Sequence, residues 1–256
     1  MLVNIKNITC TYKEHIALTN VSLAADTGEI IVCIGPNGAG KSTLIRAIAG
    51  TIPLYQGHIN ADNHEISQLA ASQRAQLIAV VPQTVIMPAG FTVREVVAMA
   101  RYAFHPWYQR HTGHDDQIIS YAMAQAGVAH FADTPANQLS GGEQQRVAFA
   151  RAIAQQPKVL LLDETTAHLD LHHQHSIINC IKSLAQCGVL VIAAMHDINL
   201  AASFATRVCV LQQGHLLADG TPSAVLTHAF LEQVYQTPLK VVPQTDQPTP
   251  LFLLQH

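Results

Sequence analysis

Charge is scarce in this 256-residue chain: 12% of its residues are Asp, Glu, Lys or Arg, against 49% hydrophobic. That balance excludes a disordered chain, a collagen and a charged coiled coil, and at this length folding removes roughly 70–75% of the extended-chain surface from water. Seventeen acidic residues against fourteen basic ones give a net charge of −3, and no stretch gathers Lys and Arg into a stripe. Nothing here recruits a nucleic-acid backbone by charge, so no nucleic-acid partner is expected. Long hydrophobic runs are missing too. The longest, Val189 to Met195, has seven residues, whereas a membrane-spanning helix needs about 20. The start, MLVNIKNITC, reads as a strand and lacks the basic, apolar and small-residue regions of a signal peptide, so the expected compartment is the cytosol. Five cysteines (Cys10, Cys33, Cys180, Cys187, Cys209) form no C-x-x-C; they read as reduced, mostly buried small hydrophobes rather than bridges or zinc ligands. There is no internal repeat and no low-complexity tract.

What is present is alternation. EIIVCIG (29–35), IAVV (78–81), VLLLDE (159–164) and VLVIAA (189–194) are apolar enough to be strands buried on both faces, and helical patterns separate them. This predicts a parallel sheet covered by helices. Between Pro88 and Pro157 the pattern changes to 3.6-residue spacing in TVREVVAMAR, DDQIISYAMAQAG and GGEQQRVAFARAIAQQP, which predicts a helical insertion. Thr92 with Glu95 and Ser140 with Glu143 match the S/T-x-x-E helix start, while Gly127 and Pro157 are placed to end helices. Residues 207–220 predict a hairpin turning at Gln213 and Gly214, and SAVLTHAFLEQVY a closing helix. The tail from Thr237 carries four prolines and gives no clear pattern.

EIIVCIG runs into GPNGAGKST, where Gly35, Gly40, Lys41 and Ser42 fill G-x-x-x-x-G-K-[ST] directly before a helical run. Gly35, Pro36, Asn37, Gly38, Ala39 and Gly40 would curl so that backbone N–H groups converge on phosphate oxygens, aided by the helix N-terminus. Lys41 would reach the β/γ-phosphates, Ser42 would bind Mg²⁺ and Thr43 a phosphate oxygen nearer the α position. VLLLDE ends in Asp163 and Glu164 at the carboxyl edge of the sheet. Asp163 would hold the water shell of Mg²⁺ and Glu164 would orient the attacking water. Adjacent acids on one strand face opposite ways, so both can serve only where the strand ends. LSGGEQQR (139–146) is a helix start, and it also offers the Ser140 hydroxyl and the N–H groups of Gly141 and Gly142 to an anion.

With these motifs in order from Tyr12 to about Thr227, the chain resembles the ATP-binding-cassette (ABC) ATPases. GPNGAGKST is similar to the family's Walker A, Gln83 in VVPQ to its Q-loop, LSGGE to its signature, VLLLDE to its Walker B, ETTAHLD to its D-loop and His196 to its switch histidine. The resemblance implies an α/β P-loop NTPase with a mostly parallel RecA-like core sheet, an antiparallel β subdomain and a helical subdomain. It implies one domain over 1–256: core and β subdomain at about 1–87 and 158–236, helical subdomain at about 88–157, tail at about 237–256. It also implies ATP and Mg²⁺ as cofactors and a head-to-tail pair of chains in which Ser140, Gly141 and Gly142 serve the partner's nucleotide. Tyr12 would stack on adenine, Gln83 would touch Mg²⁺ or the water, His196 would contact the γ-phosphate and Asp170 would cross the dimer interface.

Two positions depart from the pattern: Thr165 replaces the usual proline after Glu164, removing its φ restriction, and His168 stands in the D-loop segment. Hydrolysis is expected to survive because Glu164 and Asp170 remain. His172, His173 and His175 open a helix with poor facing geometry, since neighbours one or two apart do not share a face, so they read as a solvated helix start rather than a metal site. His105 and His111 flank HPWYQRH in the helical insertion, where partner contact is the better reading. Within the family, MPAGFTVREVVAMARY and the run from MHDINLAASF to TPLKVV resemble ATPase subunits of importers for ferric siderophores, haem and cobalamin. That implies a peripheral subunit on the cytoplasmic side of the cell membrane, a separate permease and, indirectly, a substrate-binding protein. A soluble ABC ATPase of the iron–sulfur assembly type and an exporter cassette are the alternatives.

Overall fold

The computed structural model describes residues 1–12, 15–105, 112–165, 170–243 and 249–254. They form two compact units, Met1–Gln68 with Leu190–His256, and Leu69–Val189. His111 and His168 lie outside the described residues.

In the first unit, Val3–Tyr12 pairs antiparallel with His15–Ala25 and with Gln56–Ala61, and a short strand His64–Glu65 completes this sheet. Val3, Ile5, Ile8 and Cys10 are buried, and the register slips near Asn7, which adopts φ 50°. That slip is a bulge: it keeps the apolar residues on the core face although their spacing is not strictly two. Ile30–Ile34 lies between Leu190–Ala194 and Arg207–Gln212 and runs parallel to both. All five of its residues are buried, as are all five of Leu190–Ala194. Each such Val, Leu or Ile contributes roughly 1.5–3 kcal/mol by leaving water, so these strands fix the positions of the loops at their ends.

Arg207–Gln212 turns back into His215–Gly220 through Gln213 (φ 48°) and Gly214 (φ 80°), as the sequence predicts. The closing helix differs from expectation: it is split into Pro222–Val225 and His228–Tyr235. Pro222 is the first residue of one helix and Thr227 the N-cap of the next, and Leu226 between them leaves the helical conformation. The tail forms a hairpin, Leu239–Val242 with Leu251–Leu254. The Asn199 side chain clasps it, donating to the Phe252 carbonyl and accepting from the Phe252 N–H, both at 2.9 Å.

In the second unit, Ile78–Val81 pairs parallel with Val159–Asp163, with Val81 opposite Leu162. The insertion is helical: Val93–Ala98, a 3₁₀ segment Met99–Phe104, Gly113–Gln125 and Gly141–Ala154. Thr92/Glu95 and Ser140/Glu143 form the expected capping boxes, and Thr112/Asp115 forms a third. Asp115, 1% exposed, also receives Arg101 Nε at 2.8 Å and lies 2.8 Å from His105 Nε2. Arg101 Nη1 in turn donates to the carbonyl of Ala154, at the end of Gly141–Ala154. His105 is thus partnered inside its own unit.

Among the described residues no helix is long and apolar enough to cross a membrane. All five cysteines are free; four are buried and Cys187 is exposed.

Burial would raise the Asp115 carboxyl, but hydrogen bonds from Thr112, Arg101 and His105 outweigh it and hold it well below the usual carboxylate range. A depressed pKa stabilises the fold above the ordinary carboxylate value, and that stabilisation fades as pH falls toward the lowered one. Asp115→Ala, which leaves Arg101 unpaired, should cost about 3 kcal/mol in urea unfolding at neutral pH. The gap between variant and wild type should narrow below pH 4.

Candidate functional site

The phosphate-loop residues follow the buried strand Ile30–Ile34 and lead into the helix Lys41–Ile48. A Cβ on Gly35 would sit 2.0 Å from the Leu211 carbonyl oxygen, and one on Gly40 would sit 2.7 Å from that of Ala17. Gly38 has open space around it but adopts φ 76°. Glycine is therefore demanded twice by close approach and once by backbone conformation. No side chain caps Lys41–Ile48, whose N-cap is Gly40. Lys41 is buried, and its Nζ donates to the carbonyls of Gly35 (2.8 Å) and Pro36 (3.1 Å). An ammonium taken out of water needs such partners, and they hold its charge inside the loop.

Three further aromatic or imidazole side chains belong to the same unit, and Tyr235 lies beside the loop. Tyr235 lines a cavity of about 240 Å³ with Pro36, Asn37 and Gly38. Burial pushes its hydroxyl up to about 12, with the Gly35 N–H acting in the opposite sense. No sequence motif marks Tyr235. Tyr12 ends its strand, 40% exposed, as an aromatic face open to solvent. His196 is exposed just after Leu190–Ala194, and Asp197 behind it caps Ile198–Phe204 by accepting from Leu200 N–H. Imidazole and helix therefore share one fixed junction.

In the second unit, Asp163 is the last residue of Val159–Asp163 and is 4% exposed. Glu164 leaves the strand at φ 52°, a left-handed conformation that costs a non-glycine residue about 1–2 kcal/mol. The two acids are thereby freed from opposite-face alternation, as the sequence requires. The exposed Gln83, two residues beyond Ile78–Val81, donates from Nε2 to Glu164 Oε2 at 2.6 Å. Gln145 Nε2 donates to the Pro82 carbonyl at 3.0 Å, tying the helix Gly141–Ala154 to the base of the Gln83 loop. Thr165 is buried beneath this turn.

Ser140 caps Gly141–Ala154. Its hydroxyl donates to Glu143 Oε2 (2.7 Å) and accepts from Glu143 N–H (3.4 Å). The Ser140 hydroxyl and N–H hold the Glu143 carboxyl below its ordinary value. Ser140 and Gly141 are exposed and Gly142 is half-buried, so this helix end is open to solvent. Asp170 is exposed and caps Leu171–Gln186.

The ABC transporter family model matches residues 18–167. The hemin import ATP-binding protein HmuV of Nocardia farcinica is 45% identical over 226 residues, covering 88% of this chain and 77% of its own. HmuV of Bordetella avium is 39% identical, with 93% and 94% covered. Among solved structures, a metal-chelate type ABC transporter in an inward-facing conformation superposes with a TM-score of 0.84 at 26% identity, covering 100% of this chain and 97% of that one. A bacterial ABC transporter cassette solved as a dimer gives 0.80 at 31% identity, covering 86% and 99%.

Gly35→Ala and Gly38→Ala separate the two glycine requirements. Gly35→Ala should abolish stabilisation by Mg-ATP in a thermal-shift assay, because a backbone carbonyl occupies the Cβ position. Gly38→Ala should keep a reduced shift, losing about 1–2 kcal/mol to its φ alone.

Proposed function

The chain belongs to the ABC transporter family, and on that footing we propose that it is the ATP-hydrolysing subunit of an importer whose cargo is haem. The carrying observation for hydrolysis is the turn after Val159–Asp163, where Glu164 leaves a buried strand and its carboxylate is held by Gln83 at 2.6 Å. The cargo reading rests on the relatives, several of which are hemin import ATP-binding proteins at 39–45% identity.

The roles divide by chemistry. The loop from Gly35 to Gly40 surrounds the phosphates with N–H groups, Lys41 neutralises the β/γ-phosphates, Thr43 bonds nearer the α-phosphate and Tyr12 stacks on adenine. Ser42, Gln83 and Asp163 offer hydroxyl, amide and carboxylate oxygens, the hard donors that Mg²⁺ takes, so these residues fit that ion. Held by them, Mg²⁺ would supply positive charge to offset that developing on the phosphate oxygens. Glu164 accepts the proton of the attacking water and Gln83 fixes its carboxylate. His196 contacts the γ-phosphate. Little covalent chemistry falls to the protein, so positioning and electrostatics supply the rate.

Ser140, Gly141 and Gly142 serve a nucleotide bound to a second copy arranged head to tail, and Asp170 crosses between the copies. Two ATP molecules close the pair, closure drives a permease between access states, and hydrolysis reopens it. The chain acts at the cytoplasmic face of the membrane, with a substrate-binding protein delivering cargo to the permease.

Removing a general base typically costs 10²–10⁴-fold in rate. Glu164→Gln in the assembled complex should lose about that much turnover yet retain ATP and run as a stable dimer in size-exclusion chromatography. Lys41→Ala should fail to bind ATP. Wild-type hydrolysis by Glu164→Gln would remove the base assignment. For cargo, reconstituted transporter should take up haem, and not a ferric siderophore or cobalamin, when ATP is inside with this subunit; uptake of either of the others alone would replace haem.

A further inference from the structure

The histidines at the head of Leu171–Gln186 do not behave as their spacing suggests. Asp170 precedes the helix with extended backbone (ψ 163°), so its side chain folds back over the first turn. One carboxylate oxygen accepts the His173 N–H at 2.8 Å, and both lie 2.8 Å from His173 Nδ1. The His172 ring stands edge-on to that of His173, with centroids 5.3 Å apart. One ligand atom from each of Asp170, His172 and His173 falls within 4.8 Å of the other two. His175 is directed elsewhere, its Nε2 lying 2.9 Å from Asn179 Nδ2 one turn on. The face-sharing rule holds within a helix; a residue at the N-cap reaches over the first turn and escapes it.

We propose that Asp170, His172 and His173 form a binding site for a divalent first-row transition-metal ion. Two imidazoles and one carboxylate suit Zn²⁺, Fe²⁺ or Co²⁺, whereas Mg²⁺ and Ca²⁺ prefer oxygen donors throughout. The backbone bond from His173 orients the carboxylate, the kind of outer support that fixes metal ligands. It also keeps the Asp170 carboxyl below its ordinary value, followed in importance by the His173 ring, so the ligand is anionic at neutral pH. His172 and His173 line a cavity of about 340 Å³ together with His130, Glu143 and Arg146, which gives a hydrated ion a way in. Arg146 and the positive end of the helix oppose a cation there; the Asp170 and Glu143 carboxylates offset them.

Occupancy has a consequence that rests on the function proposed above. Asp170 crosses to the second copy in that reading, so an ion held on its carboxylate withdraws it from the interface. The metal is then an inhibitor of ATP turnover, acting at a site separate from that of Mg²⁺.

The full chain, without nucleotide, is titrated with Zn²⁺ against a chromogenic chelator, and Co²⁺ is used to read ligand geometry from its visible spectrum. Wild type should bind one ion that His172→Ala/His173→Ala binds at least about 10-fold more weakly, while His175→Ala should match wild type. His172 is exposed and His173 half-buried, and matching circular dichroism melts confirm that the double variant is folded. Equal Zn²⁺ affinity in wild type and double variant overturns the site, as does loss of binding in His175→Ala. In the ATPase assay, Zn²⁺ should inhibit wild type and spare the double variant. Binding that depends on His172 and His173 but leaves turnover untouched overturns the inhibitory role and keeps the site. A chain that binds Zn²⁺ through these residues yet never hydrolyses ATP keeps the site and refutes the function.

Discussion

A strand buried on both faces cannot carry two ionised carboxylates at its end without ceasing to be a strand. Val159–Asp163 is buried at every residue, and continuing it by one more would drive Glu164 to the face opposite Asp163. Ionised groups left in an apolar interior are too costly to keep. The chain instead breaks at Glu164 with φ 52°, and the surrounding contacts hold that strained residue: Thr165 is buried behind it and Gln83 is bonded to its carboxylate. Strain of this kind persists only where the environment over-determines it. This break is what would let the two neighbouring acids take the separate roles proposed for them.

Helix ends supply the second theme. The helices that begin after Thr92, Thr112, Ser140, Asp170 and Asp197 each bring an acceptor side chain to their own first turn. Lys41–Ile48 begins after a glycine and brings none. A helix start that satisfies itself is finished as structure, while one lacking a side-chain acceptor suits an anionic ligand. Ser140 is both kinds at once: its hydroxyl is engaged by Glu143, yet the end it caps is exposed. The capping-box reading of LSGGE therefore does not close this end to the phosphate proposed for it.

Much of this was legible in the residues, and the limits have physical causes. The buried strands were visible because continuous apolar runs leave no polar face to hide. Thr92/Glu95 and Ser140/Glu143 were visible because a capping box is local. The Thr112/Asp115 box used a shorter acid than the expected Glu, and its wider importance lies in Arg101 and His105, which no spacing connects to it. The bond from Gln83 to Glu164 joins residues 81 apart and exists only after the sheet has formed. The tail hairpin was obscured by its prolines, and its attachment through Asn199 depends on a side chain that reads as an ordinary helix residue. The approach of Asp170 to His172 and His173 is not legible from helical spacing, because Asp170 lies just before the helix that spacing describes.

In the function proposed, the reaction centre is shared between two copies, with Lys41 contributed by one and Ser140 by the other. The direct measurement is ATP hydrolysis by the isolated chain over a dilution series, with sedimentation at each concentration reporting the fraction dimeric. Turnover per chain should fall with dilution in step with the dimer and vanish where only monomer sediments. Undiminished turnover in solutions that contain monomer alone would contradict the shared centre.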